Sequence, residues 1–259
     1  MRGSIVVGID GSTPGRSALL WAGARAAATG ATLTVVHVSS PHESCNADDD
    51  GRADLIQAGI RTLRAIAPAL DILTDLREGE PFAVLADASR GADLLVIGTH
   101  KTGFIQGRAT GSRYLDLPSV VAIPVAVIPS VPLTSRRGVV VGVDDSATGR
   151  RAVEIAADTA ESAAERLTLV FRSESHSSAE TTDRVRRGHP LLDVSARVAR
   201  HGVVRDLIDS AMVATLVVLA YPAAGEPVGS EGAAGVRDLL LNIAGPAMVI
   251  PRSGQESCR

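Results

Sequence analysis

The sequence contains two copies of the same pattern, and this duplication limits the possible folds more than any other feature. The segment Val7–Asp10 reads VGID, and Val141–Asp144 reads VGVD at an offset of 134 residues. Later in the chain, Pro124 and Pro246 match at an offset of 122, so the second copy is shorter by twelve residues. A repeat of this length in two copies indicates duplication of a whole domain rather than a solenoid.

A linker-like passage separates the two copies. It carries Pro132, Ser135 and a basic pair at Arg136 and Arg137, and such clusters of proline and small polar residues typically mark loops. We place the boundary near Ser135, which predicts two domains covering residues 1–134 and 135–259.

Within the first copy, short apolar runs alternate with segments of helical periodicity. Ser12 is a good helix N-cap, and Gly30 is a good stop for the helix that follows it. Further helices are predicted over 53–67 and 81–90, after a polar stretch at 39–51 that resembles a loop. The predicted strands are Ile5–Ile9, Leu33–Val38, Asp71–Leu76, Leu94–Ile97 and Val125–Ile128. This alternation predicts an α/β fold with two tandem open parallel sheets of the Rossmann-like type, with ligands at the carboxyl ends of the strands.

Composition and charge exclude several classes of function. The net charge of -3 and the aromatic content of 2% argue against nucleic acid as a partner, because phosphate binding needs a basic excess and single-stranded bases need stacking platforms. Cys45 and Cys258 are the only cysteines, which suits a reducing compartment. The run Ile5–Ile9 is too short for a signal-peptide core, and no apolar run is long enough to span a membrane. We expect a cytoplasmic protein that binds neither nucleic acid nor membrane.

The segment from Gly98 to Ser112 is the strongest candidate for a binding site. Its four glycines are Gly98, Gly103, Gly107 and Gly111, and glycine-rich turns let a backbone approach a phosphate closely. The segment matches neither the Walker A pattern nor the dinucleotide fingerprint. On its glycine content alone it fits a flexible surface loop equally well.

The common catalytic patterns are missing from the sequence. There is no H-E-x-x-H motif and no G-x-S-x-G elbow. His37 lies within an apolar strand and is interpreted as a core histidine, whereas His100 lies in the glycine segment, where it could contact a phosphate. We therefore predict no catalytic residues and no protein-held metal site, which favours a binding module over an enzyme.

The spacing of the glycine segment resembles the motif G-x2-G-x9-G-[ST] of nucleotide-binding universal stress proteins. Gly98, Gly111 and Ser112 match this motif. The opening 7–12, the strand end 36–38 and the closing 124–128 are also similar to that family, in a chain that carries the pattern twice. The resemblance implies a fold of the adenine-nucleotide α-hydrolase type. One position departs from the motif, because its second glycine falls on Lys101.

The resemblance also implies which residues hold a ligand. The ligand would be ATP or a related adenine nucleotide, with Mg²⁺ as its companion ion. Residues at the ends of the first two strands would border the adenine and ribose, and residues of the glycine segment would surround the phosphates. The implied binding residues are Gly8, Ile9, Asp10, Gly11, Ser12, Val38, Gly98, Thr99, Lys101, Gly111 and Ser112. Arg113 follows directly and could reach a phosphate, although it fits a surface arginine without a ligand equally well.

In the second copy the motif is degenerate. Its positions fall on Ala220, Ala223, Ala233 and Ala234, and alanine cannot supply the hydroxyl of Ser112. We predict a regulatory stress-response module that binds nucleotide in its first domain, whose halves pack as an internal pseudo-dimer and which acts on an unidentified protein partner, with a homodimer as a further expectation. Two alternatives stay open: a slow ATPase, and an interaction module without nucleotide whose pocket Lys101 has closed.

Overall fold

A computed structural model describes residues 3–39, 48–99, 112–132, 135–221 and 233–252. The described residues up to Ser130 form one compact unit, and those from Val131 onward form a second. The predicted boundary near Ser135 lies in the same passage of the chain. None of the described helices is both long and apolar enough to span a bilayer.

The first unit is a five-stranded parallel sheet covered by helices. Its strand order is β3-β2-β1-β4-β5, so the order reverses between β1 and β4, where open α/β sheets usually bind ligands. The elements are β1 Ser4–Ile9, α1 Thr13–Thr29, β2 Thr32–Ser39, α2 Asp48–Ile66, β3 Ile72–Glu78, α3 Pro81–Ala88, β4 Leu94–Thr99, a 3₁₀ helix Ser112–Ser119 and β5 Val125–Pro129.

The second unit repeats this topology. Its strands are parallel in the order β8-β7-β6-β9-β10, which corresponds strand by strand to the first sheet. The elements are β6 Val139–Gly142, α4 Ala147–Ser162, β7 Leu167–Phe171, α5 His176–Gly188, β8 Val194–Val198, α6 Val203–Ser210, β9 Leu216–Ala220, α7 Ala233–Asn242 and β10 Ala247–Ile250. The predicted α/β fold with two parallel sheets is therefore confirmed.

The central strands are buried because both faces of each sheet are covered. Val7, Leu95 and Val127 are fully buried in the first unit, as expected for continuous apolar runs in parallel sheets. Helix α1 begins at its predicted cap, where Ser12 accepts a hydrogen bond from Gly15 N, and it ends at Gly30 in a left-handed conformation with φ of 67°. Caps and apolar runs together fix where the strands of this unit end.

Helix α2 starts earlier than the sequence predicts. Helix α2 begins at Asp48, inside the stretch predicted to be a loop, and acidic residues at 48–50 favour a helix start because of the helix dipole. The short helix after the glycine segment is a 3₁₀ helix that contains Pro118. Proline lacks the N–H that a continuing α-helix needs, which suits the short 3₁₀ form.

Arg136, which the sequence places in a linker, is a buried structural residue of the second unit. Its side chain is 8% exposed, and its guanidinium donates hydrogen bonds to the carbonyl oxygens of Ala211, Ala214 and Ala244. Its Nε donates to Pro132 O at 3.2 Å. Burial lowers the pKa of Arg136, but a guanidinium stays protonated in proteins. Arg136 therefore ties the start of the second unit to the end of α6.

Candidate functional site

A rigid turn at the carboxyl end of β1 forms the centre of the candidate site. Asp10 Oδ1 accepts hydrogen bonds from Ser12 N at 3.0 Å and from Ser12 Oγ at 2.5 Å. The same Ser12 Oγ accepts from Gly15 N at 3.1 Å and so caps α1. Gly11, between them, has a φ of 76° that favours glycine. The exposed Asp10 carboxylate is thereby held at the edge of the sheet.

Two glycines allow the backbone at this edge to approach closely. A Cβ at Gly15 would lie 2.6 Å from Asp10 Oδ1, and a Cβ at Gly98 would lie 2.7 Å from Gly15 N. Both distances are well below a normal non-bonded contact. The end of β4 therefore packs directly on the first turn of α1, so that β1, β4 and α1 converge on one point.

His37 binds the end of β2 to the end of β1. Its Nδ1 lies 3.0 Å from Ile9 O, and because a carbonyl only accepts, Nδ1 is the donor of this bond. His37 is half-buried. Its interpretation as a core histidine agrees with this satisfied bond, and the half-buried Val38 follows it at the same edge.

A small cavity opens beside this turn. This cavity has a volume of about 130 Å³. The corresponding cavity of the second unit has a volume of about 260 Å³. Apolar side chains form the floor of the first cavity, and Arg16 lies at its rim. The lining residues are Ile9, Gly11, Ser12, Thr13, Arg16, Leu19 and Ile56. The combination of apolar floor, hydroxyl groups and one cation suits a ligand with an apolar body and an anionic part.

Arg16 and Ile56 were not among the predicted site residues. Arg16 lies four residues after Ser12, and its amide donates to Ser12 O at 2.9 Å, so helical spacing from the cap could have placed it on the same face. Ile56 comes from α2, and nothing in the sequence pairs that helix with the Asp10 turn.

The predicted binding residues divide into three groups in the structure. Ile9, Gly11 and Ser12 line the cavity. Gly8, Asp10, Val38, Gly98 and Thr99 lie at the same edge of the sheet, at or next to the ends of β1, β2 and β4. Ser112 and Arg113 are in the 3₁₀ helix, without described side chains. Lys101 and Gly111 lie outside the described residues, as does His100.

The described residues contain no cluster of three or more His, Cys, Asp and Glu side chains that could hold a metal. Magnesium in nucleotide sites usually needs only one or two carboxylates together with phosphate oxygens. The described hydrogen bonds of Asp10 use Oδ1 and not Oδ2.

The second unit preserves the turn almost unchanged. Asp144 Oδ1 accepts from Ser146 N at 2.8 Å, and Ser146 Oγ accepts from Gly149 N at 2.8 Å. A Cβ at Gly149 would lie 2.6 Å from Asp144 O. The duplicated sequence therefore produces the same local geometry twice.

The rest of the second cleft differs from the first. Asp145 replaces Gly11 at the 134 offset, and its Oδ1 accepts from Ser177 Oγ at 2.5 Å. Ala220 replaces Gly98 at the 122 offset, so a Cβ is present at this strand end. A second carboxylate beside Asp144 repels anions. Asp144, Asp145 and Arg172 line this cleft, whose volume of about 260 Å³ is about twice that of the first.

Comparisons of the sequence with known proteins identify one family. The universal stress protein family is matched over residues 1–129. A universal stress protein from Mycobacterium tuberculosis is 32% identical over 201 residues, which cover 74% of this chain and 71% of that protein. Another from the same organism is 27% identical over 282 aligned positions, covering 95% of this chain and 92% of the relative.

Solved structures with the same fold cover nearly the whole chain. A universal stress protein from Archaeoglobus fulgidus matches with a TM-score of 0.68 and 14% identity, covering 98% of this chain and 97% of that one. The cytoplasmic domain of a prokaryotic cation chloride cotransporter matches with a TM-score of 0.58 and 12% identity, covering 99% and 98%. At such identities the likeness concerns the fold alone, and one fold serves different functions.

Proposed function

This chain belongs to the universal stress protein family, and from that premise we propose that its first unit binds an adenine nucleotide such as ATP as a regulatory module. The observation that carries the proposal is the convergence of the Asp10 turn with the glycine at the end of β4. A Cβ at Gly98 would meet the backbone of α1. This close approach occurs at the reversal of strand order, where α/β sheets bind nucleotides.

Each part of the site has a role that its chemistry supports. The Asp10 carboxylate accepts hydrogen bonds from the hydroxyl or amino groups of a nucleoside, since Oδ1 is fixed by Ser12. The apolar floor at Ile9, Leu19 and Ile56 suits a flat heterocycle. Arg16 supplies positive charge at the rim for the phosphates, and the glycine segment supplies backbone donors in the manner of other phosphate loops.

We propose binding rather than turnover as the function. In this account the nucleotide stabilises one of two pre-existing states of the protein. The shift in population changes the surface that is available to a partner protein. The slow ATPase differs in one measurable respect, since it requires steady release of phosphate that depends on Asp10. A location in the cytoplasm stays a prediction from the sequence.

Matched aspartates in the two units test the proposal. Asp10→Asn keeps the shape of the turn but removes the charge, which should weaken binding of ATP and of adenosine alike by roughly ten- to a hundredfold, as for the loss of a charged hydrogen bond. Asp144→Asn makes the same change in the second unit and should leave both affinities unchanged. Isothermal titration calorimetry measures them. An equal loss in both variants, or no binding by the unaltered chain, would contradict the proposal.

A further inference from the structure

The edge strand of the first sheet exposes large apolar side chains. Leu73 is 53% exposed and Leu76 is 78% exposed, and both lie in β3, which pairs with β2 alone among the described strands. Edge strands usually carry charges that prevent pairing with another chain. Asp75 and Arg77 flank Leu76 in β3, so the strand combines exposed apolar side chains with charges that can select a partner.

The hydrogen bonds to β2 show which backbone groups of β3 point outward. Leu33 N donates to Asp71 O at 2.9 Å, and Gly79 N donates to Ser39 O at 3.1 Å. Because alternate residues of a strand turn their polar backbone groups to opposite sides, the odd-numbered residues from 71 to 79 face β2. The N–H and C=O groups of Ile72, Thr74, Leu76 and Glu78 therefore point away from the sheet.

We propose that β3 pairs antiparallel with β3 of a second copy of this chain, with the two-fold axis at Leu76. In an antiparallel ladder, opposed residues either exchange backbone hydrogen bonds or lie between such pairs. An axis at Leu76 makes Leu76 a hydrogen-bonded pair with its own copy. Thr74 then lies opposite Glu78 of the second copy, and Asp75 lies opposite Arg77.

The charged side chains of β3 favour a two-fold axis at Leu76 over an axis at a nearby residue. An axis at Asp75 would oppose two carboxylates, and an axis at Arg77 would oppose two guanidinium groups, and both arrangements repel. An axis at Thr74 would place the Asp75 carboxylate opposite the apolar Leu73. With the axis at Leu76, attraction between Asp75 and Arg77 occurs twice, once on each side of the axis.

The charged groups are already arranged for such pairing within one chain. Arg77 Nε lies 2.8 Å from Asp75 Oδ2, and Arg77 Nη1 lies 3.1 Å from Asp87 Oδ2. The guanidinium is thereby held beside the two carboxylates, and its Nη2 makes no hydrogen bond among the described residues. In the dimer each Asp75 carboxylate lies between two guanidinium groups, which form a network rather than an isolated surface pair.

The second unit lacks these features at the corresponding edge. By the 122 offset, Val198 of β8 replaces Leu76, and Arg197 and Ala199 replace Asp75 and Arg77. Val198 is half-buried, and Arg197 is bonded to Asp206 of its own unit. Pairing through β3 alone gives a closed two-fold dimer, because the same patch serves both copies.

Sedimentation velocity of the full chain over a concentration series tests the pairing. Leu76→Lys should raise the dimer dissociation constant by more than about tenfold, since two ammonium groups would meet at the axis. The matched change Val198→Lys should leave the constant unchanged. Asp75→Arg should also weaken the dimer, and the double variant Asp75→Arg with Arg77→Asp should restore it. Far-UV circular dichroism checks that each variant is folded.

Amide hydrogen exchange locates the contact. The amides of Thr74, Leu76 and Glu78 should become protected as concentration rises through the dimer range. A monomer at all concentrations, a dimer that ignores Leu76→Lys, or equal effects of Leu76→Lys and Val198→Lys would overturn the proposal. Protection of these amides in the monomer would also overturn it, because another segment or an extended peptide would then occupy the edge.

Discussion

Gly98 and Gly15 are in direct backbone contact: a Cβ at position 98 would lie 2.7 Å from Gly15 N. The contact joins the end of strand β4 to the first turn of α1, and the Asp10 carboxylate lies against the same glycine, since a Cβ at Gly15 would lie 2.6 Å from Asp10 Oδ1. The second unit has Ala220 in place of Gly98. The strand end in the second unit therefore carries a methyl group where the first unit has none.

Gly98→Ala should therefore damage both stability and binding. The added methyl group forces α1 away from β4, which we expect to cost about 1–3 kcal/mol, as for other overpacked sites, and to weaken ATP binding. Urea unfolding followed by the fluorescence of Trp21 reports on this unit, because Trp21 is the only tryptophan and lies in α1. Ala220→Gly is the matched control and should leave ATP affinity unchanged. An unshifted urea midpoint for Gly98→Ala would contradict the packing argument.

Lys101 is the position where the sequence departs from the family motif, and it lies outside the described residues. We expect its ammonium to contact phosphate, so Lys101→Ala should weaken ATP binding by about 1.5–3 kcal/mol at low salt and adenosine binding hardly at all. The loss should shrink as salt is added, because salt screens charge. Calorimetry at two salt concentrations checks both statements. Stronger ATP binding by Lys101→Gly would instead show that the lysine side chain obstructs the site.

Arg136→Met should destabilise the second unit. The change removes the guanidinium that satisfies the carbonyl oxygens of Ala211, Ala214 and Ala244, and buried acceptors without donors cost at least about 2 kcal/mol together. Thermal unfolding followed by far-UV circular dichroism measures the loss. The exposed neighbour provides the control, since Arg137→Met should change stability by less than about 0.5 kcal/mol. Similar losses in both variants would show that Arg136 has no special structural role.

Asp206 should make the stability of the second unit depend on acid. Burial raises the pKa of this carboxyl group, but hydrogen bonds from Arg197 and from the amides of Arg200 and His201, with the charge of Arg197, outweigh burial and leave the pKa below its ordinary value. A carboxyl group with a lowered pKa stabilises the fold above its unfolded pKa of about 4, and this contribution is lost as pH falls through the folded pKa.

The matching variant is Asp206→Asn. Near neutral pH the free energy of unfolding of the wild type should exceed that of the variant by about 1.5–3 kcal/mol, the range for hydrogen bonds to charged groups. This difference in stability should become smaller as the pH falls below about 4. Melting curves recorded from neutral pH into acid by circular dichroism test this. A difference that is constant or grows on acidification would contradict the assigned charge state.

Local pattern alone predicted much of the fold. Continuous apolar runs between turn residues indicate buried strands. From such runs, β1 was predicted to within one residue of its observed length and β4 to within two. The cap at Ser12 was predicted correctly from residue type. By contrast, the start of α2 was missed, because an acidic run fits both a loop and a helix terminus.

Features that depend on distant parts of the chain could not be predicted. Arg136 was interpreted as a linker residue, since three of its four carbonyl partners are 75 to 108 residues away in sequence. Ile56 reaches the cavity from a helix whose packing no local pattern specifies. The turn at Asp10 was recognised, but the tight contact of Gly98 with Gly15 became visible only in the structure, because glycine content does not show what each glycine faces.

The number of nucleotides bound per chain tests the central claim most directly. Native mass spectrometry of the full chain, titrated with ATP, resolves the occupied species and counts ligands on each chain. The first unit has the tight glycine junction and the second has Ala220 and a second carboxylate at Asp145, so the account predicts saturation at one ATP per chain. Saturation at two, or no ATP bound at any concentration, would contradict it.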